Sequence, residues 1–235
     1  MLKKKQTLFG LVFVFALLFQ FITVGALQSA EVKVYAFKCG ILKTQTQFIL
    51  KDTRVGTPFD IPVPFFIIKH GKDWVAFDTG NNAKVAVDPT GYWGEGIVKA
   101  YTPVMKPEEA FTQQIKKLGL TPKDFKAVII SHGHLDHAGS IDSFKGTQVP
   151  IYFQKAELAE IKKLLEAKKE GTAYILADFD LMKDLNIKEV EGIFDLFGDK
   201  TVVSFPTPGH TQGHQSLYVK PSKGTPFIYA ADVMY

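Results

Sequence analysis

Three histidines and one aspartate fall within six positions of this sequence, in the stretch Ser131-His132-Gly133-His134-Leu135-Asp136-His137-Ala138-Gly139. The chain has six histidines; two of the others, His210 and His214, share the stretch Pro208-Gly209-His210-Thr211-Gln212-Gly213-His214, and only His70 stands apart. Neutral imidazole is a common metal ligand and carboxylate its usual oxygen partner. The residue types therefore point to a metal site, and the spacing points to more than one ion. His132 and His134 can face one ion if Gly133 permits a tight bend. Asp136 and His137 follow too closely for all four side chains to serve one tetrahedral ion with ease. Two neighbouring ions solve that geometry, with His210 adding a nitrogen to the first and Asp232 able to bridge both. Zinc suits nitrogen and oxygen donors, and manganese, iron or cobalt fit the same types. His214 reads as a residue supporting the ligands or their loop, Asp78 as a support or a strand-end cap, and His70 as a packing residue.

Two adjacent ions sharing a water would hold it as hydroxide near neutral pH and polarise a carbonyl or phosphoryl oxygen. The implied chemistry is hydrolysis without a serine or cysteine nucleophile. The rest of the sequence agrees. It has no Gly-x-Ser-x-Gly elbow, and its one cysteine, Cys39, lies far in sequence from any histidine. Gly91-Tyr92-Trp93-Gly94-Glu95-Gly96 has the wrong order of glycines for a phosphate-binding loop.

The elements that must position these residues share a pattern: a short apolar run, then a polar residue at its end. Phe125 to Ile130 reads as a buried strand leading into His132. Trp74 to Phe77 ends at Asp78 and pairs back through Gly71-Lys72-Asp73 on the strand-like Ile61 to His70. Thr201 to Phe205 runs toward His210, and Pro226 to Ala230 ends at Asp232. Further strands are expected at Glu31 to Phe37, Phe48 to Leu50, Pro150 to Phe153 and Ser216 to Val219. Pro107 to Leu118 has a proline and acids at its start and Gly119 at its end, which predicts one helix. Gln154 to Lys169 predicts another, with Leu158, Ile161, Leu164 and Leu165 on one face. Glu157, Glu160, Glu166 and Glu170, alternating with lysines, read as its solvated face. Asn81 to Tyr101 reads as a long loop, and Gly171 to Phe197 carries no clear pattern. Strands mixed with helices argue for an α/β layered fold with ligands gathered at one sheet edge.

Composition sets the remaining bounds. With 46% hydrophobic and 22% charged residues, 235 residues suffice for one core. Lys3-Lys4-Lys5, the apolar run Leu8 to Phe19 and the small residues Val24-Gly25-Ala26 have the layout of a secretory signal over residues 1–26, with an uncleaved anchor as the alternative. Setting those three lysines aside leaves 25 basic against 24 acidic side chains, so no nucleic acid or membrane surface is expected as a partner. Residues 31–235 read as one domain, exported to the periplasm or secreted, without stable membrane insertion once the signal is removed.

These motifs carry a resemblance. His132-Gly133-His134-Leu135-Asp136-His137 resembles the His-x-His-x-Asp-His signature of the metallo-β-lactamase superfamily, and Phe77-Asp78-Thr79-Gly80, Pro208-Gly209-His210 and Ala231-Asp232 match its other motifs in order. Thr207 to Leu217, together with Tyr235 three residues after Asp232, is most similar to the N-acyl homoserine lactone lactonases. The resemblance implies an αβ/βα sandwich of two mixed β-sheets with helices on the outer faces. It implies two zinc ions, with His132, His134 and His210 on one, Asp136 and His137 on the other, and Asp232 bridging. It also implies a small-molecule lactone substrate, with Asp136 and Tyr235 as catalytic residues and Tyr235 against the lactone carbonyl oxygen. The family pattern continues beyond the position of Tyr235 and carries one more histidine for the second ion. No histidine follows His214 here, so the fold is expected to be C-terminally incomplete and the second ion held more weakly. Alternatives are another hydrolase of the fold, acting on a β-lactam, thioester or phosphodiester, or a truncated, inactive metal-binding product.

Overall fold

The computed structural model describes residues 30–51, 53–169 and 172–234; the expected signal segment 1–26 and Tyr235 lie outside them. A long antiparallel pair opens the chain, β1 (Val32–Gln45) and β2 (Pro58–His70), and β3 (Asp73–Phe77) turns back onto β2. Two short helices, α1 (Pro89–Trp93) and α2 (Glu95–Ala100), lead to β4 (Thr102–Val104). Then come α3 (Phe111–Ile115), β5 (Phe125–Ile129), β6 (Pro150–Gln154) and, without a break, α4 (Lys155–Ala167). After α5 (Leu176–Phe179) the strands are β7 (Asn186–Val190), β8 (Phe194–Asp195), β9 (Val202–Pro206), β10 (Gln215–Val219) and β11 (Phe227–Tyr229).

Among the described residues, seven strands form one sheet in the order β4-β1-β2-β3-β5-β6-β7, and four form a second in the order β11-β10-β9-β8. The first sheet is mixed, turning parallel from β3 onward; the second is antiparallel throughout. Strand periodicity explains how they stack. Ala127 and Ile129 of β5 face Val202, Leu217 and Val219 of the second sheet, while Val128 and Ile130 join the core beneath the helices. A strand buried on both faces needs an apolar run, and from Ala127 onward β5 has one, which is why it reads so clearly in the sequence. On the outer face of the first sheet, Phe111 and Ile115 of α3 and Leu158, Ile161 and Leu164 of α4 are packed into the larger core. Phe111 meets Phe65 and Phe144 at centroid distances of 5.1 and 5.6 Å. Among the described residues no helix is long and apolar enough to cross a membrane.

Several local expectations are corrected. Pro107 to Leu118 is not one helix: a 3-10 turn, Pro107–Glu109, stops at Ala110, which is extended (φ −61, ψ 146). The Glu109 carboxylate accepts the Lys106 N–H and closes that first turn, and the break lets Phe111 drop into the aromatic core. Asn81 to Tyr101 is helical in pieces rather than loop. Asn82 and Asp88 each cap a turn with their side chains, and Pro89 begins α1. Phe48 to Leu50 is no strand, because Thr46–Phe48 is a 3-10 turn at the hairpin tip. The patternless stretch 171–197 holds α5, β7 and β8.

Candidate metal centre

Parallel pairing of β3 and β5 puts Phe77 beside Ile129, so Asp78 and Ser131 emerge together at one edge of the first sheet. The ends of β9 and β11 bring His210 and Asp232 to the same edge. Asp78 has φ +61, a left-handed conformation that aspartate tolerates better than most residues. Its carboxylate accepts the backbone N–H of Ser131 at 2.7 Å and the Ser131 hydroxyl at 2.9 Å, and its Oδ2 lies 2.8 Å from His137 Nδ1. Asp78 thus orients His137 and leaves His137 Nε2 toward Asp136 and Asp232, at 3.7 and 3.3 Å.

His132 sits at the centre, with its ring centroid 4.5, 4.2 and 4.8 Å from those of His134, His137 and His210. Two sets of donor atoms, each within 4.8 Å of one another, converge there: His132, His134 and His210 in one, His132, His137 and Asp232 in the other. Asp232 faces both. Its Oδ2 is 3.8 Å from His132 Nε2 and 3.4 Å from His210 Nε2, and its Oδ1 is turned to His137. Asp136 stands beside the second set, next to His137. The six expected ligands are therefore brought together, and Cys39 is not among them: it is buried, with its thiol toward the Asn81 carbonyl.

The donors suit a divalent ion. His132 Nε2 is fully buried and has no hydrogen-bond partner, an expensive arrangement for an imidazole nitrogen unless something else takes its lone pair. Burial, and then the neighbouring histidines, hold His132 well below the usual imidazole range. Burial followed by His210 pushes His134 down to about 3. Both are thus neutral, the form that binds metal. Burial also opposes a proton on His137, but Asp136, Asp232 and Asp78 together raise it well above its ordinary value. Carboxylates surround it as they would surround a cation.

Two further residues complete the centre. His214 is fully buried, and its Nε2 accepts the backbone N–H of Asp232 at 3.1 Å. Its Nδ1 therefore carries the proton and donates to Thr207 Oγ1 at 2.8 Å. The sequence left its role open between loop support and ligand support; here it grips the peptide of a candidate ligand. Glu157, read from the sequence as part of a solvated face, is 1% exposed. It accepts the Gly133 N–H at 2.7 Å, the Tyr174 hydroxyl at 2.9 Å and the Thr211 hydroxyl at 2.6 Å. Its spacing to Ile161 and Leu164 placed it on the apolar face of α4, a signal that the alternating charges obscured.

The metallo-beta-lactamase superfamily model matches residues 59–233. An N-acyl homoserine lactonase, AttM, from Azorhizobium caulinodans is 36% identical over 208 residues, covering 87% of this chain and 77% of that protein. The N-acyl homoserine lactonase AiiA of Bacillus thuringiensis subsp. kurstaki is 28% identical over 181 residues, covering 77% and 67%. Among solved structures, an N-acyl homoserine lactone hydrolase with N-hexanoyl-L-homoserine at its catalytic metal centre superposes with a TM-score of 0.70 at 25% identity, over 85% of this chain and 74% of that one.

Proposed function

The chain belongs to the metallo-beta-lactamase superfamily, and from that membership we propose that it is a zinc-dependent hydrolase opening the lactone ring of N-acyl homoserine lactones. The observation that carries the reading is a groove against the ligand cluster. Its walls are Leu42, Phe48, Ile49, Ile61, Tyr101 and Ala173, with Leu135 among them, and its polar end is His134, Asp136, His210 and Asp232. Such a groove fits an amphiphile: a hydrocarbon tail against the apolar walls and a compact ester ring over the ligands. The lactonases found by sequence similarity act on molecules of this build.

His132, His134 and His210 would hold one ion, Asp136 and His137 the other, with Asp232 facing both. Bound there, zinc supplies Lewis acidity and lowers the pKa of water. The chain's own residues do the rest. Asp78 fixes the ring of His137, and His214 fixes the backbone of Asp232. Asp136 lines the grooves on both sides of Asp232. From there it can carry the proton taken from water to the alkoxide oxygen freed when the ring C–O bond breaks, leaving the hydroxy acid. Tyr235, three positions after Asp232, is proposed to orient the lactone carbonyl. Residues 31–235 would form the hydrolase domain and residues 1–26 an export signal, which the mass of the mature N-terminus tests.

Ring opening releases an acid, so a weakly buffered indicator assay on N-hexanoyl homoserine lactone reads the reaction directly. Nitrocefin, a thioester and a phosphodiester serve as competitors. The expected result is lactone turnover with the highest kcat/KM of the panel, lost on chelation and restored by zinc. Turnover indifferent to metal removal, or a preference for another substrate of the panel, would count against the reading.

A further inference from the structure

We propose that Glu157 is the positioning residue of the first metal position, tying the loop of His132 and His134 to the loop of His210. The proposal rests on the metal-centre reading above. The three nitrogens of that position come from two loops that leave different sheets, and backbone geometry alone does not fix their separation. Glu157 spans the gap. Its Oε1 accepts the N–H of Gly133, the residue between His132 and His134, and its Oε2 accepts the hydroxyl of Thr211, the residue after His210. One carboxylate thus touches a direct chain neighbour of all three ligands.

Three further observations agree. A Cβ on Gly213 would lie 2.0 Å from the Glu157 backbone nitrogen, so the His210 loop is packed hard against the first turn of α4. Tyr174, which donates to the same Oε1, sets its ring edge-on to His134 at 4.7 Å and so extends the clamp to a ligand ring. The first turn of α4 is itself anchored. Gln154 donates to Gln215 Oε1 at 3.1 Å, and Gln215 donates to the Ile130 carbonyl at 2.7 Å, joining both sheets at its base. A ligand-positioning group belongs on such a rigid element. Glu157 also has no ion pair among the described residues, and all three of its donors are neutral. A carboxylate buried with only neutral donors is costly as a stability device, and loss of partners around metal ligands typically costs 10–100-fold in affinity.

The test is Co2+ titration of the metal-free protein, read by visible ligand-field absorption and calorimetry. Glu157→Ala is expected to weaken the first ion by about 10–100-fold and shift its absorption bands, leaving the second ion's affinity within a few-fold. Glu157→Gln keeps the shape and an acceptor for Gly133 and Tyr174, and is expected to restore most of the affinity and the bands. Should Glu157→Ala not fold, Thr211→Val cuts one arm alone and is expected to weaken the first ion several-fold with the bands moved. Unchanged first-ion affinity and spectrum in the folded variants would overturn the proposal, as would equal weakening of both ions. A wild-type protein that takes up no Co2+ would instead refute the metal-centre reading itself.

Discussion

At the scale of single residues, the centre depends on side chains whose second atoms are tied down as firmly as their first. His214 shows the principle. It contributes no donor to either candidate ligand set, yet its Nε2 holds the peptide of Asp232, and its Nδ1–H runs through Thr207 and Ser216 to the Ala230 carbonyl. Every proton in that chain has one direction open to it, so the imidazole is a fixed neutral tautomer. Replacing His214 with phenylalanine keeps the bulk and removes both bonds. Lactonase kcat/KM is expected to fall by about 10–100-fold, with Tm lowered by only about 2–4 °C per kcal/mol of hydrogen bonding lost, as measured by steady-state kinetics and calorimetry on one preparation. A variant as active as wild type would show that Asp232 does not need this hold.

Gly133 makes a related point about elements. The sequence assigns it a tight bend, but what the structure requires there is space: a Cβ would meet the Tyr174 ring at 2.8 Å and Ile161 at 3.0 Å. That crowding involves a residue 41 positions away and cannot be read from neighbours. The strands that lead to the site were legible for the opposite reason. In β3 and β5 the apolar runs are dictated by burial within the same few residues, and β3, β5, β9 and β11 lie within a residue of where the patterns put them. Pro107 to Leu118 misled because its caps describe a real turn, whereas the break at Ala110 answers to the aromatic core that takes in Phe111.

The helical segment 83–100 also meets α5 through a buried acid. Asp178 accepts the Tyr92 hydroxyl at 2.8 Å and is 1% exposed. Burial raises its pKa well above the ordinary carboxylate value, with Asp142 adding to the effect against the Tyr92 bond. The folded state therefore favours the neutral acid. Its contribution is fully present below the unfolded pKa of about 3.9 and is lost as pH rises toward the folded value. Asp178→Asn keeps an acceptor for Tyr92 and removes that penalty. Relative to wild type the variant is expected to gain on the order of 1 kcal/mol between pH 4 and pH 8, measured by urea unfolding at both. A stability difference flat with pH would show that Asp178 is ionised in the fold.

At the scale of the whole molecule, the sandwich gathers strand ends from both sheets at one edge, which is why candidate ligands separated by 100 positions, from His132 to Asp232, meet within one site. The candidate ligand residues, which the fold brings to one edge, and the layered fold itself were legible because their types and order are local and specific. The groove was not, since its walls come from the hairpin of β1 and β2, from Tyr101 and from Ala173, regions with weak patterns of their own. The first donor set contains three imidazoles, two of them held neutral by burial, while in the second, His137 is pushed down by burial but raised overall by the carboxylates of Asp136, Asp232 and Asp78.

The most direct test of a metal-dependent lactone hydrolase is to strip the protein of metal, return zinc in steps, and measure zinc per chain and the N-hexanoyl homoserine lactone ring-opening rate on the same samples. The rate is expected to be absent without zinc, to rise with bound zinc, and to stay absent in His132→Ala at every step. Ring opening by metal-free protein, or undiminished by loss of His132, would contradict the assignment of this cluster as the reaction centre.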